Sequence, residues 1–344
     1  MALRVAVLSA VRHATDYLRL LGQDQRVELV AVAEEPSAPE WMRADSRAAA
    51  ERAGVRYTET VAEVLDPARV DLVLVCSSPT RHARLALAAL FAGIDVLIDK
   101  PVAATLEDAD ALVEAAERTG RVCAVVNRTH APALRRARAW VDAGHVGLPR
   151  HLDMEFLASG AHFATSVERP ELVVDPALSG GGEMLNFLCY CADAVTYLTG
   201  LRAVEVHAFT GALFSELHAE HGVEDSAVVS ILLERGVTAT VTLGRVPYAP
   251  GTTPTTSSLR LLGSHGHAVV DDDRPAVAKF GPEGATSLTA DAGQVAAERY
   301  LRHVVDCLVA GAVPDYTVRD ARASLAVVDA AYRSAERGDV VPVD

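Results

Sequence analysis

The sequence predicts an α/β fold in two parts: an N-terminal doubly wound parallel sheet, and a C-terminal α+β domain with an open, mostly antiparallel sheet. Three observations carry this. Over residues 4–126, short runs rich in Val, Ala and Leu alternate with longer stretches of helical periodicity. After about residue 150, runs of alternating apolar and polar residues appear, the pattern of strands with one covered face. Between them, Val96-Leu97-Ile98-Asp99-Lys100-Pro101 reads as a buried strand that ends on a lysine. Proline stops the ladder there, and strands of a parallel sheet end at a ligand crevice. The boundary is expected at residues 1–127 and 128–344.

The composition bounds the function. The chain has 344 residues, 50% hydrophobic and 23% charged, enough for a large core. A net charge of −14 argues against nucleic acid or anionic membrane as the main partner. No apolar stretch reaches membrane-spanning length, and Leu3 to Leu8 enters a strand at once, so no signal peptide is expected. The five cysteines lie mostly in apolar runs and read as reduced thiols of a cytoplasmic protein. Cys189 and Cys191 are i and i+2 on a helix and point apart, so no metal site is expected.

In the first half, strands are expected at 4–8, 27–33, 70–76, 94–98 and 121–126. Helices are expected at Arg43 to Ala53, His82 to Ala92 and Leu106 to Thr119. This is the Rossmann-like order, in which a dinucleotide's pyrophosphate rests after strand one on a helix N-terminus. The glycine fingerprint G-x-G-x-x-G falls on Ser9-Ala10-Val11-Arg12-His13-Ala14, and all three glycines are missing. Ser9 can make the turn with some strain, Val11 stands where backbone approaches phosphate, and Arg12 and His13 can donate to the pyrophosphate. Glu34, 20 residues after Ala14, has the spacing of the acid that binds ribose hydroxyls. Its charge repels a 2′-phosphate, and no arginine follows before Arg43, so NAD is favoured over NADP. Ser77, Ser78 and Pro79, after the 70–76 run, and then His82 are placed at the nicotinamide ribose, with Asp99 and Lys100 completing the cofactor set.

In the second half, strands are expected at Arg150 to Leu157, Ala203 to Thr210, Ala227 to Glu234, Val237 to Leu243, Ser258 to Leu262 and His267 to Val270. Pro247 to Pro254 reads as a loop acting as lid or oligomer contact. Asp271 to Asp273 and Gly263 to His267 read as turns. Gln294 to Ala310 and Val318 to Arg337 read as helices that pack back on the first domain. Gly180-Gly181-Gly182 leads into an apolar helix on which Asn186 and Tyr190, i and i+4, share one face. Glycines there let backbone approach a ligand closely.

These motifs resemble the glucose–fructose oxidoreductase/inositol dehydrogenase/MocA (Gfo/Idh/MocA) family along nearly the whole chain. The family's Glu-Lys-Pro appears as Asp99-Lys100-Pro101. Its glycine-led helix with Asp, then His four residues on, then Asp three further, appears as Gly180-Gly181-Gly182, Asn186, Tyr190 and Asp193. Its apolar terminal helix ends here in Tyr332-Arg333-Ser334-Ala335-Glu336-Arg337-Gly338.

The resemblance implies hydride transfer between NAD and a hydroxyl or keto group of a sugar, cyclitol or related polyol. It also implies a homo-dimer or homo-tetramer formed through the C-terminal sheet. Of the usual lysine, aspartate and histidine, only the lysine stands unchanged. The expected catalytic set is therefore Lys100, Tyr190 and Asn186. Tyr190 would pass the proton, Lys100 would stabilise its phenolate, and Asn186 would orient substrate oxygen. Asn127 and His162 join Lys100, Asn186 and Tyr190 as substrate-binding candidates, and His162 or His130 is the rival proton carrier. Two alternatives share the fold: an NAD-retaining lyase or epimerase acting through a transient ketone, and a non-catalytic binding member.

Overall fold

A computed structural model describes residues 2–160, 169–247, 255–271, 276–289 and 296–344. His162, Asp272 and Asp273, and most of the Pro247 to Pro254 loop lie outside these.

The first unit is built from β1 (Leu3–Ala10), α1 (Ala14–Gln23), β2 (Val27–Ala33), α2 (Glu40–Ala53), β3 (Arg56–Thr58), β4 (Leu72–Cys76), α3 (Pro79–Phe91), β5 (Asp95–Ile98), α4 (Leu106–Thr119) and β6 (Cys123–Val125). The six strands are all parallel, in the order β3-β2-β1-β4-β5-β6. Strand order reverses between β1 and β4, so their carboxyl ends open the crevice where a dinucleotide lies in such sheets. The central strands read as continuous apolar runs because both faces are covered; every residue of β4 is buried. α4 shows why the helices form where they do. Thr105 caps its first turn by accepting from Asp108 N, Ala109, Leu112 and Ala115 make its buried stripe, and Gly120 ends it at φ 64°.

The second unit carries α5 (Pro132–Asp142), β7 (Pro149–Ser159), two short helices α6 (Glu171–Val174) and α7 (Pro176–Ser179), α8 (Glu183–Thr199), β8 (Ala203–Gly211), α9 (Glu216–Glu220), β9 (Ser226–Leu233) and β10 (Thr238–Val246). It continues with β11 (Thr255–Gly263), β12 (His267–Asp271), β13 (Ala276–Gly281), β14 (Gly284–Thr289), α10 (Ala296–Val309), α11 (Val318–Arg337) and β15 (Val341–Pro342). Nine strands form one sheet in the order β14-β13-β12-β11-β7-β10-β9-β8-β15. Its pairs are antiparallel except β7 with β10. In β9, Ala227, Val229, Ile231 and Leu233 face inward. The glycine-led helix α8 lies against this inner face and is buried over most of its length. α11 packs on α8 and β8 and on α4 of the first unit, so it ties the two sheets together. A capping box of Thr317 and Asp320 starts α11, and Gly338 ends it at φ 73°. Among the described residues, no helix is long and apolar enough to cross a membrane.

Four strands were not expected. β3 and β15 are edge strands of three and two residues, too short to show a period. β14 is exposed along its whole length and carries no apolar alternation, and its partner β13 follows a break in the pattern.

Candidate active site

The site forms where the end of β5 meets the start of α8. Lys100 is buried, 5% exposed. Its Nζ donates to Asn186 Oδ1 at 2.5 Å and to the Asn186 carbonyl at 3.1 Å. Arg12 Nη2 donates to the same Oδ1 at 3.1 Å. The Asn186 amide nitrogen donates to Glu183 Oε2 at 2.8 Å, which fixes the amide's orientation. Glu183 is fully buried, accepts from Arg245 Nε at 2.5 Å, and has His218 Nε2 at 3.3 Å. Two cations thus converge on one neutral amide oxygen, and the carboxylate behind the amide, Glu183, is already paired with Arg245. Burial first, and the Arg12 charge second, draw the Lys100 pKa down to about 7.

The rest of the pocket is aromatic. Lys100 Nζ stands 4.9 Å from the Tyr190 ring centroid and 5.6 Å from that of Phe187, and Phe156 packs against both rings. The Arg128 guanidinium lies over Phe156 and Tyr190, at 5.5 and 5.8 Å from their centroids. These are cation–π contacts on ring faces.

This corrects the expected role of Tyr190. The lysine touches the face of its ring and donates to Asn186, so it does not stabilise a phenolate through a hydrogen bond. Burial, and then the Asp99 charge, push the phenol's pKa well up. The phenol is thereby held toward its neutral form.

Other expectations also change. Val11 gives its N–H to Cys76 O, and its side chain lies in an apolar cluster with Met42, Leu172, Val173 and Val174. It packs and has no polar group for a cofactor. His82 is buried with Nδ1 2.7 Å from Pro101 O and Nε2 2.9 Å from Ser77 O, so both ring nitrogens are engaged in pinning the Lys100–Pro101 turn to the end of β4. Asp99 accepts from His13 Nδ1 at 2.8 Å, Tyr17 OH at 2.9 Å and Lys100 N at 2.9 Å. It anchors the start of α1 to β5, and His13 is held there too. Asn127 is a turn former: its Oδ1 accepts from Thr129 N and Oγ1, and its Nδ2 gives one of its two N–H groups to Val125 O.

The three glycines serve packing within the chain. A Cβ on Gly181 would stand 2.4 Å from Tyr332 OH, and one on Gly182 would stand 2.2 Å from Glu224 O. Tyr332 OH accepts from Gly182 N and Leu185 N and donates to Glu224 Oε1, which fastens the start of α8. Asp193 accepts from Tyr316 OH at 2.6 Å and from the Ser324 hydroxyl, and fastens its middle.

Glu34 is 1% exposed at the end of β2. Arg81 Nη2 donates to its Oε1 at 2.6 Å, Glu35 N at 2.9 Å, and Ser46 Oγ to its Oε2 at 3.2 Å. The sequence has no arginine between Glu34 and Arg43, but the fold brings one to Glu34 from further along: Arg81, from α3, 47 positions on. Glu183, Arg245, Arg128 and Arg81 complete the site's charge pattern beyond the expected residues, and Arg12, expected at the pyrophosphate, reaches Asn186. Only Arg245 left a signal, since it follows Ala239, Val241 and Leu243 at the inward positions of β10.

The family's N-terminal profile, described as an oxidoreductase family with an NAD-binding Rossmann fold, matches residues 3–127, and its C-terminal domain profile matches residues 134–269. The chain belongs to the GFO/IDH/MocA family. Inositol 2-dehydrogenase 2 of Saccharopolyspora erythraea is 28% identical over all of this chain and 96% of its own length. The scyllo-inositol 2-dehydrogenase (NAD(+)) of Bacillus subtilis is 25% identical over 84% of this chain and 82% of its own. Among solved structures, GenD2 from gentamicin A biosynthesis, in complex with NAD, superposes with a TM-score of 0.83 at 24% identity, over all of this chain and 97% of that one.

As a member of the GFO/IDH/MocA family the chain is an NAD-dependent oxidoreductase, and its crevice fits that cofactor. Ser9 Oγ, Arg12 Nε, Ser77 Oγ and Ser78 Oγ are buried without a hydrogen-bond partner, and all four lie at the carboxyl ends of β1 and β4. Buried polar atoms without partners are costly, and a polar ligand laid along the crevice satisfies them. Ser9 at φ 60° and Arg12 at φ 54° hold the left-handed backbone for which glycine is the usual residue.

Proposed function

We propose that the chain is an NAD-dependent dehydrogenase or reductase for a hydroxyl or keto group of a sugar, cyclitol or related polyol, with Lys100 as its proton carrier. The carrying observation is the Lys100–Asn186 pair: a buried, doubly held ammonium with its pKa drawn down to about 7 at the end of the crevice. A carrier works best when its pKa lies near the working pH.

When bound, NAD accepts or supplies the hydride. In the oxidative direction the neutral Lys100 amine takes the hydroxyl proton as the hydride leaves carbon, and the ammonium returns that proton in the reductive direction. Asn186 holds the amine, and Arg12 keeps it acidic. The aromatic faces of Phe156, Phe187 and Tyr190 offer an apolar wall to the C–H face of a ring-shaped polyol and keep water from the amine. The inositol and scyllo-inositol dehydrogenases among the relatives support a cyclitol or sugar as substrate. Exposed Phe209 and Val228, cross-strand partners on the outer face of the large sheet, support pairing of two copies there.

The test is a screen of inositols, aldoses and their keto forms with NAD and NADH. Net NADH formation or consumption with a polyol or its ketone supports the reading. Turnover without net change in NADH replaces it with an epimerase or lyase, and absence of both NAD binding and turnover replaces it with a binding protein.

A further inference from the structure

The amide of Asn186 serves the site only one way round. Its Oδ1 accepts from Lys100 Nζ at 2.5 Å and from Arg12 Nη2 at 3.1 Å, and its Nδ2 donates to Glu183 Oε2 at 2.8 Å. Turned over, it would set an NH₂ group against two donors and an oxygen against a carboxylate. The acceptor behind the amide is Glu183, which is fully buried. Its other oxygen accepts from Arg245 Nε at 2.5 Å and has His218 Nε2 at 3.3 Å. Burial opposes its charge, but Arg245, and then hydrogen bonds from His218, Arg245 and Asn186, hold the Glu183 pKa at about 2. Both its oxygens are therefore acceptors at neutral pH.

The direction of this amide decides what the lysine can do. A neutral amine has two N–H groups and one lone pair. Lys100 faces two oxygens of Asn186, Oδ1 and the main-chain carbonyl, which accept both N–H groups. The lone pair is then left for a proton from the substrate. A turned amide would donate its own N–H into that lone pair and block it.

We propose that Glu183 is a positioning residue for the reaction: its buried carboxylate sets the direction of the Asn186 amide and so keeps the Lys100 lone pair open to substrate. This rests on the reading of Lys100 as the proton carrier. The main chain leaves the pair little room to adjust. Glu183 N donates to Glu224 O at 3.0 Å, Met184 N to Glu224 Oε1 at 2.8 Å, and Asn186 N to Gly182 O at 3.2 Å. A glutamine at 183 has the same shape but one acceptor in place of two. Arg245 and His218 require that acceptor, because a guanidinium can only donate. The glutamine NH₂ then faces Asn186, and Asn186 turns, because a neutral Lys100 amine can accept from it where Arg245 cannot. An aspartate at 186 removes the conflict, since it accepts from the glutamine on one side and from Lys100 and Arg12 on the other.

The experiment compares the full-length wild type, Glu183→Gln and the double variant Glu183→Gln/Asn186→Asp. It measures kcat/KM against pH, melting, and the titration of Lys100. The chain has two lysines, Lys100 and Lys279, so carbon-13 labelling of lysine isolates the Lys100 signal. The charged and titratable groups that act on Lys100 are Arg12, Cys189, Asp99 and Glu183. A purely electrostatic Glu183 would, on becoming glutamine, only move the kinetic limb to lower pH and leave the high-pH plateau as it was. The positioning role predicts that the plateau itself falls by about 100-fold or more in Glu183→Gln. The double variant should return to within about tenfold of wild type, with its limb at higher pH because a carboxylate now touches the ammonium. An unchanged plateau in folded Glu183→Gln overturns the role. So does a double variant that fails to fold or stays about 100-fold down, since all its donors should be matched; if Glu183→Gln alone does not fold, the double variant decides. In the wild type, a Lys100 titration that departs from the kinetic limb removes the lysine as carrier and Glu183 with it. A titration that matches, beside an unchanged plateau, removes Glu183 alone.

Discussion

The side-chain oxygen of Asn186 lies 2.5 Å from Nζ of Lys100 and accepts from Arg12 as well. Where the family pattern has an aspartate, this chain has an amide. A carboxylate beside Lys100 would stabilise the ammonium and raise its pKa. An amide accepts the same hydrogen bonds without a charge, so burial and Arg12 prevail and the amine titrates near neutral pH.

Lys100→Ala should lower kcat by about 10²–10⁴ while the far-UV spectrum and cooperative melting are kept. Asn186 Oδ1 retains Arg12 as donor, so no buried acceptor is stranded. NADH formation under saturating substrate measures this. A variant with more than about a tenth of the wild-type rate, less than ~1.4 kcal/mol of transition-state stabilisation, removes Lys100 from the chemistry.

Glu34→Ala should shift cofactor preference toward NADP(H), because it both removes the charge that repels a 2′-phosphate and releases Arg81 from its ion pair. The ratio of the two dissociation constants, by calorimetry, should move at least about tenfold, ~1.4 kcal/mol. An unchanged ratio means that Glu34 and Arg81 do not face the ribose.

Asp193→Asn tests the anchor of α8. Burial raises the Asp193 pKa to about 7. A carboxyl whose folded pKa lies above its unfolded value takes up a proton on folding. Its favourable contribution is therefore full below about pH 4, is lost as pH rises to about 7, and stays lost above that. The amide oxygen introduced by the substitution can accept from Tyr316 and Ser324 without titrating. Melting temperatures at pH 5 and pH 8 should show the wild type losing more stability between them than the variant, and parallel losses count against a buried titrating carboxyl.

The parallel sheet was legible because doubly covered strands carry few polar positions, so β1, β2, β4 and β5 stand out as largely apolar runs. Lys100 was legible because a proline follows it at a strand's end. What the site does was hidden by chain distance. Arg12 and Asn186 are 174 positions apart, Lys100 and Asn186 are 86 apart, and Arg81 reaches Glu34 from another βα unit. No local period records such meetings. The i, i+4 spacing placed Asn186 and Tyr190 near one another correctly, but it could not show that the lysine would bond the first and only cover the ring of the second.

The pH dependence of kcat/KM for polyol oxidation, in the wild type beside Arg12→Gln and Tyr190→Phe, tests the central claim most directly. Oxidation needs the neutral amine, so the rate should rise with pH through a limb at about 7. Removing the Arg12 charge stabilises the ammonium, so Arg12→Gln should carry the limb to higher pH. Tyr190→Phe should leave the limb in place. A limb that stays fixed in Arg12→Gln, together with one that disappears in Tyr190→Phe, would contradict Lys100 as the proton carrier and return that role to the tyrosine.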